Sequence, residues 1–268
     1  MPDAHEAPTP YPDVNALVKE LLQSVQAVLK SGFIGMYLDG SLANGGFDQD
    51  SDIDFVVVSK EEISDDLFTD LQAMHDRLAM LDSPFAIQLE GSYLSKKALR
   101  RYDPALCYHP NIERGPGERL KWVRHDEPWN IHRSVLRERG IRLAGPSLQS
   151  LIDPLQPAAL RRAMSSILTG WVTGLLAAPP QPLQRGYQSY IVLSLCRILY
   201  TLEKDSVTSK QAAARWAQEN LDERWGDLIE RAWEGRHHPD QPPSALDLVG
   251  TWEFARYAIQ RGRRFGNI

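Results

Sequence analysis

One pattern limits this chain more than any other. Gly40-Ser41 is followed by ten residues and then by Asp52-Ile53-Asp54, which opens the apolar run Phe55-Val56-Val57-Val58. Ile34–Leu38 reads as a short strand leading into the Gly-Ser turn, and Ile53–Val58 reads as a second strand rich in β-branched residues. Alternation along a strand puts Asp52 and Asp54 on the same face. Two carboxylates on one face repel each other and call for a cation. Hard oxygen ligands of this kind suit Mg²⁺ together with substrate phosphates. Gly40 allows a close backbone approach in the turn. Ser41 offers a hydroxyl and a backbone N–H to a phosphate. A further acid, Glu90, is expected at the end of a third strand, Phe85–Glu90, in which Phe85, Ile87 and Leu89 alternate.

The rest of the chain divides in two. Asp13 can cap a helix that runs to about Lys30, and Leu67, Leu71, Met74 and Leu78 mark another. The first ninety residues therefore read helix, strand, strand, helix, strand. The stretch Lys96–Glu127 is less regular and holds the turn Gly115-Pro116-Gly117. Pro128–Arg139 reads as a helix stopped by Gly140. Beyond residue 156 only helical periodicity remains: a stripe from Leu160 to Leu175, then about Tyr187–Leu202, Lys210–Gln218, Glu223–Glu234 and Ala245–Arg261. Met1–Pro12, with four prolines, reads as a loose arm.

Composition excludes several classes. Hydrophobic residues are 43% of the 268 and charged residues 24%, ordinary globular values that exclude wholesale disorder, collagen-like repeats and a coiled-coil rod. Thirty Lys+Arg against 35 Asp+Glu leave a net charge of −5, which is not the footprint of a chain that mainly grips nucleic acid. Two distant cysteines, Cys107 and Cys196, make neither a disulfide framework nor a zinc site. No apolar run is long enough to span a bilayer, and the start lacks the marks of a secretory signal. A cytoplasmic monomer is expected, with no membrane or nucleic-acid partner.

The stretch Leu38–Val58, LDGSLANGGFDQDSDIDFVVV, resembles the nucleotidyltransferase superfamily of DNA polymerase β type, whose hallmark is Gly-Ser, a spacer, Asp-x-Asp and a third carboxylate on a neighbouring strand. Leu89-Glu90 with a serine following, His132–Pro146 (HRSVLRERGIRLAGP) and Ile191–Trp216 (IVLSLCRILYTLEKDSVTSKQAAARW) are similar to the streptomycin/spectinomycin adenylyltransferases. The likeness covers most of Gly32–Arg236. It implies an α+β fold: a polymerase β-like nucleotidyltransferase domain with a small mixed sheet over 1–156, and an all-helical domain over 157–268. It also implies roles. Gly40, Ser41 and Ser51 would meet the nucleotide triphosphate; Asp52, Asp54 and Glu90 would hold Mg²⁺. Glu90 would also take the proton from the acceptor hydroxyl, and Arg197 and Lys210 would bind phosphate. Arg197 stands among Leu193, Leu195, Cys196, Ile198 and Leu199, where a guanidinium calls for an anion. The implied reaction moves AMP from ATP, bound in a cleft between the halves, to a hydroxyl of an aminoglycoside or aminocyclitol.

The acceptor side departs from the relatives that modify streptomycin. There, a Trp and acidic residues precede the helix that carries the Arg. Here the matching stretch, Gln181–Tyr190 (QPLQRGYQSY), has no Asp, Glu or Trp, and Arg185 is positive. Tyr187, Gln188 and Tyr190 remain to stack or hydrogen-bond. Glu113, Glu118 and Asp126, with Trp122 and Trp129, are the acids and aromatics that the irregular middle offers. The same chemistry on another hydroxylated small molecule or on a protein side chain is the alternative. A non-catalytic module is disfavoured by the intact Asp52, Asp54 and Glu90.

Overall fold

Proline needs no N–H partner at the first position of a helix, and Pro12 starts α1 (Pro12–Leu29) there, with Tyr11 as the flanking cap and Asp13 inside the first turn. The cap expected at Asp13 therefore lies two residues earlier. The structure, a computed structural model, describes residues 7–48 and 51–265. Part of the N-terminal stretch expected to be loose, 1–6, lies outside these. The remainder is tied down: Thr9 is buried, and both its N–H and its hydroxyl donate to the Asn15 side chain, at 3.1 and 2.8 Å.

The chain forms two compact units, one ending at Pro154 and the other beginning at Leu155. The first holds β1 (Phe33–Leu38), α2 (Gly40–Ala43), β2 (Ile53–Ser59), α3 (Asp65–Leu78), β3 (Leu89–Ser95), α4 (Lys96–Arg100), β4 (Tyr108–Ile112), β5 (Lys121–Arg124), α5 (Asn130–Arg139), β6 (Ile141–Ala144) and α6 (Leu148–Leu151). The strands make one sheet in the order β5-β4-β3-β2-β1-β6. Only β2 and β3 are parallel, joined through α3. Alternation sorts β2 cleanly. Ile53, Phe55 and Val57 join α1 and α3 in one core, while Val56 and Val58 join Tyr37, Leu94, Leu99 and Leu136 in a second core on the opposite face. Asp54 shares the parity of Val56 and so belongs to that second face.

Two expectations are corrected here. The third strand is Leu89–Ser95, not Phe85–Glu90, so Glu90 stands at the start of its strand. Ser83–Gln88 folds instead into turns, with Ala86 N–H donating to Ser83 and Gln88 N–H to Phe85. Strand pairing with β2 begins at Ile53 opposite Leu89. The irregular middle also contains β4 and β5, and β6 follows α5. Their sequences, YHPNI, KWVR and IRLA, are short and poor in apolar alternation, so they carry little strand signal.

Among the described residues of this unit, three histidines are buried. His75 on α3 shares a 2.8 Å hydrogen bond with the Tyr93 hydroxyl. His109 bonds to His125 through Nδ1 at 2.9 Å and to the Ser92 hydroxyl through Nε2 at 3.0 Å. Desolvation holds all three pKa values below 6.5, at about 4 for His75, about 3 for His109 and about 4 for His125. The unfolded chain therefore takes up protons that the folded chain refuses, and stability is full above pH 6.5 and falls as pH drops toward 4. His75 alone withdraws roughly 3 kcal/mol over that interval. Urea unfolding at pH 7 and pH 4.5 checks this; an unfolding free energy that stays level would overturn it.

The second unit is helical: α7 (Pro157–Ile167), a π-helical stretch Leu168–Val172, α8 (Thr173–Ala177), α9 (Arg185–Lys204), α10 (Lys210–Asn220), α11 (Gly226–Gly235) and α12 (Ala245–Gly262). Helix α9 is apolar on most sides and is buried by α7, α10, α11 and α12. Asp247 on α12, 2% exposed, pins this arrangement. It accepts from Arg231 Nε at 2.7 Å, from the Ser244 hydroxyl at 2.7 Å and from Arg185 at 3.2 Å. Burial pushes its carboxyl up, and these partners more than offset that, leaving it below the ordinary range. Asp247→Ala leaves Arg185 without its carboxylate and should cost about 3 kcal/mol, read as a lower denaturation midpoint. Among the described residues no helix is long and apolar enough to cross a membrane.

Candidate active site

The end of β1 turns sharply at Gly40, whose φ of +58° is the left-handed region that glycine tolerates. A Cβ there would lie 1.7 Å from Asp54 Oδ2, so the glycine is what lets the turn close over that carboxylate. Asp39 N–H donates to the Asp54 backbone carbonyl at 3.0 Å and locks the two strand ends together. The turn continues as the single helical turn α2. Asn44 closes it, donating to the Gly40 carbonyl from its backbone and from Nδ2, at 3.1 and 2.7 Å. Arg139, at the end of α5, in turn donates to Asn44 Oδ1 at 2.7 Å. Ser41 Oγ is buried and makes no hydrogen bond among the described residues. A buried hydroxyl without a partner is costly, and a ligand oxygen would satisfy it.

The spacer between Ser41 and Asp52 is anchored by Phe47, which packs between Tyr11 and Phe85. Gln49 and Asp50 lie outside the described residues. Ser51 is buried, and its hydroxyl serves the turn: it donates to Asp48 Oδ1 at 2.8 Å and accepts from Asp48 N–H at 3.0 Å. The geometry thus commits Ser51 first to setting the approach to Asp52.

Asp54 and Glu90 are direct neighbours across the parallel β2–β3 pair. Gly91 follows Glu90 because a Cβ there would strike the Phe55 ring at 2.4 Å. The result is one cluster: Asp52, Asp54 and Glu90, all half-buried, offer ligand oxygens that lie within 4.8 Å of one another. Three hard oxygen donors at this spacing fit a divalent cation such as Mg²⁺. The structure brings together these three acids, with Glu90 at the start of its strand rather than the end. It adds a residue with no sequence signal: Arg114, just past β4, approaches Asp52 Oδ2 with Nε at 3.9 Å. An arginine in a turn-rich stretch looks like any solvated charge.

In the second unit Arg197 is half-buried on α9, and Lys210 begins α10 with Ser209 as its cap. Lys210 Nζ stands 5.6 Å above the Tyr190 ring, which stacks with Tyr187 at 5.8 Å. Gln188 is not available to a ligand, because it is buried and its amide donates to Thr251. Arg185 is turned toward Asp247, so its charge is already matched. In the first unit Trp129 packs against His109, His125 and Arg133, and Trp122 stacks on Phe68.

A Gly-Ser turn at the end of one strand faces two aspartates and a glutamate at the starts of the next two, an arrangement that could hold a phosphate and a divalent cation. Residues 18–79 match the family model of the nucleotidyltransferase domain, and residues 150–261 match that of the aminoglycoside adenylyltransferase C-terminal domain. The two matches, in this order on the two units, show a nucleotidyltransferase that is similar to the aminoglycoside adenylyltransferases. It is 26% identical to the aminoglycoside (3'') (9) adenylyltransferase of Escherichia coli over 263 residues, covering 91% of this chain and 93% of that one. It is 25% identical to the spectinomycin 9-adenylyltransferase of Campylobacter jejuni, over 81% and 83% of the two chains. A crystal structure of a spectinomycin adenyltransferase from Enterococcus faecialis, with ATP and spectinomycin, has the same fold: TM-score 0.69, 16% identity, 92% of this chain and 98% of that chain.

Proposed function

We propose that this protein transfers AMP from ATP to a hydroxyl of an aminoglycoside or aminocyclitol, spectinomycin or streptomycin in type, and releases pyrophosphate. The observation that carries this reading is the acid cluster Asp52, Asp54 and Glu90 set against the Gly40-Ser41 turn. Asp52, Asp54 and Glu90 would hold Mg²⁺, which when bound supplies charge stabilisation for the attacking and leaving oxygens. Ser41 gives its hydroxyl and backbone N–H to the triphosphate, and Gly40 lets the backbone come close. Ser51 sets the position of Asp52. Glu90 accepts the proton of the acceptor hydroxyl on a carboxylate oxygen as that hydroxyl attacks the α-phosphorus in line. Arg197 and Lys210 offset the charge of the β- and γ-phosphates. No covalent intermediate with the protein is required.

A second acceptor class has one specific observation in its favour. The acids of the middle are already paired: Glu113 and Glu118 with Lys121 at 3.6 and 2.9 Å, and Asp126 with Arg124 at 3.2 Å. A strongly cationic acceptor therefore meets a basic side chain beside these carboxylates, with Glu113 and Glu118 sharing the single Lys121. The testing experiment offers streptomycin, spectinomycin and other aminoglycosides to the purified protein with Mg²⁺ and ATP. Pyrophosphate release and the mass of the AMP adduct are read together. A drug–AMP adduct is expected. ATP binding with no drug adduct would shift the acceptor to another hydroxylated molecule or a protein side chain. Absence of Mg²⁺-dependent ATP binding would sink the nucleotidyl-transfer reading.

A further inference from the structure

We infer that Asn44, held from behind by Arg139, is a positioning residue that aims the Ser41 backbone N–H at the nucleoside triphosphate; this rests on the adenylyl-transfer reading above. The Gly-Ser turn has little to hold it locally. Its helical part, α2, is a single turn of four residues, and a lone turn fixes several dihedrals for very few hydrogen bonds. Ala43 N–H donates to Asp39 at 3.3 Å, Asn44 N–H to Gly40 at 3.1 Å and Gly46 N–H to Ser41 at 3.0 Å. The Gly40 carbonyl accepts a second time, from Asn44 Nδ2 at 2.7 Å. That carbonyl belongs to the same peptide group as the Ser41 N–H. A trans peptide is planar, with its C=O and N–H on opposite edges. Two donors on the Gly40 oxygen therefore set the plane and turn the Ser41 N–H the other way. Ser41 Oγ is buried without a hydrogen bond among the described residues, so the N–H and the hydroxyl of one residue can meet a phosphate together.

Asn44 serves the Gly40 carbonyl only if its amide faces one way, and Arg139 sets that way. A guanidinium only donates, and a backbone carbonyl only accepts. With Arg139 Nη1 donating to Asn44 Oδ1 at 2.7 Å, the Nδ2 end is turned to Gly40. Backbone pairing brings the two residues together. Strand β6 runs antiparallel to β1 with Ile141 opposite Leu38, so Arg139, two residues before Ile141, comes beside Gly40, two residues after Leu38. Helix α5, which ends at Arg139, is itself anchored. Its Ile131, Val135 and Leu136 are buried, and Arg133 donates to the Leu99 carbonyl at 3.1 Å and to the Ala98 carbonyl at 2.8 Å. The helix thus fixes the amide, the amide fixes the peptide plane, and the plane fixes the N–H. A misaimed N–H bonds poorly, since hydrogen bonds weaken steeply with angle. This chain of contacts acts on the grip on the triphosphate and not on proton transfer at Glu90.

The test compares the full-length wild type with Asn44→Ala, Arg139→Met, Arg139→Lys and the double variant Asn44→Ala/Arg139→Met. Binding of α,β-methylene-ATP with Mg²⁺ is measured by calorimetry, and the Ser41 amide is followed by NMR in serine-labelled protein. In the wild type the Ser41 amide proton should move downfield when the analogue binds. Affinity should fall about tenfold in Asn44→Ala and about threefold in Arg139→Met, as for a hydrogen bond to a charged group lost or weakened. The Ser41 response should shrink in the same order, and Arg139→Lys, which keeps a donor, should stay near wild type. The double variant should bind no more weakly than Asn44→Ala, because Arg139 acts through Asn44. Arg139→Met leaves the turn's own residues in place and decides the matter if Asn44→Ala does not fold. Unchanged affinity in both single variants overturns the proposal. So does a fall in affinity with a full Ser41 response, the mark of a general loss of structure, and so do effects that add in the double variant, which would put Arg139 on the phosphate directly. If affinity and Ser41 response fall as expected but no AMP adduct forms in the turnover assay, the positioning stands and the adenylyl-transfer reading fails. If drugs are adenylylated and the variants bind nucleotide like wild type, only the positioning fails. If the wild type does not bind the analogue with Mg²⁺, both fail.

Discussion

Glu90→Gln should cut the rate of AMP transfer by about 10²- to 10⁴-fold while ATP binding is retained, the loss ordinarily seen when a general base is removed. Gln has the shape of Glu and keeps one oxygen toward the cluster, but it cannot accept the proton of the attacking hydroxyl. Glu90 sits beside Asp54 across the β2–β3 pair, where its backbone is fixed by parallel hydrogen bonding and by the Phe55 ring over Gly91. The substitution therefore changes chemistry with little change of structure. Asp52→Asn removes charge from the candidate cation site instead, and Mg²⁺-dependent ATP binding should be lost along with turnover. Single-turnover adduct formation and equilibrium ATP binding, measured on both variants, separate the two roles. Full turnover in Glu90→Gln would mean that another group takes the proton.

Gly40→Ala should abolish detectable transfer without unfolding the protein. The added Cβ would lie 1.7 Å from Asp54 Oδ2, where real Cβ contacts stay beyond 3.0 Å, and the backbone there has φ +58°. Left-handed backbone costs an alanine about 1 kcal/mol, which a unit with two cores tolerates. The carboxylate, however, must retreat by roughly 1 Å or more, and a misplacement of about 1 Å costs about 10²-fold in rate. On the proposed reading Asp54 also holds the cation, so the loss should exceed that. Circular dichroism melts checked against activity distinguish the cases: a near-native melt with no turnover is expected. Near-normal turnover would show that the turn does not have to press on Asp54.

The legible parts were those in which one local rule decides. Asp52 and Asp54 share a parity, and the β-branched run after them leaves no choice but a strand. The helices of the second unit follow from periodicity, and α9 reads clearly because it is apolar on most sides. Glu90 was found as a residue but misplaced within its strand. The alternation of Phe85, Ile87 and Leu89 imitates a strand, while their backbone is spent on turns. What draws the strand on to Ser95 is pairing with β2, which is not local. The edge strands were missed for the same reason. KWVR and IRLA have no buried face of their own to write into the sequence and are strands because a neighbour supplies hydrogen bonds.

By itself the sequence determined the chemistry's ingredients: a glycine that must bend, a serine beside it, two aspartates of one parity and a glutamate some thirty-five residues on. These follow from covalent properties, namely glycine's freedom of φ, the period of a strand and the charge of a carboxylate. Tertiary structure decided their mutual distances and their neighbours. It made Asp54 and Glu90 partners across a parallel pair, spent the Ser51 hydroxyl on Asp48, and turned Arg185 toward Asp247. It also brought Arg114 from the end of β4 to Asp52. Charges at a distance in sequence interact only once backbone pairing has set them side by side, and no local pattern records which pairs those will be.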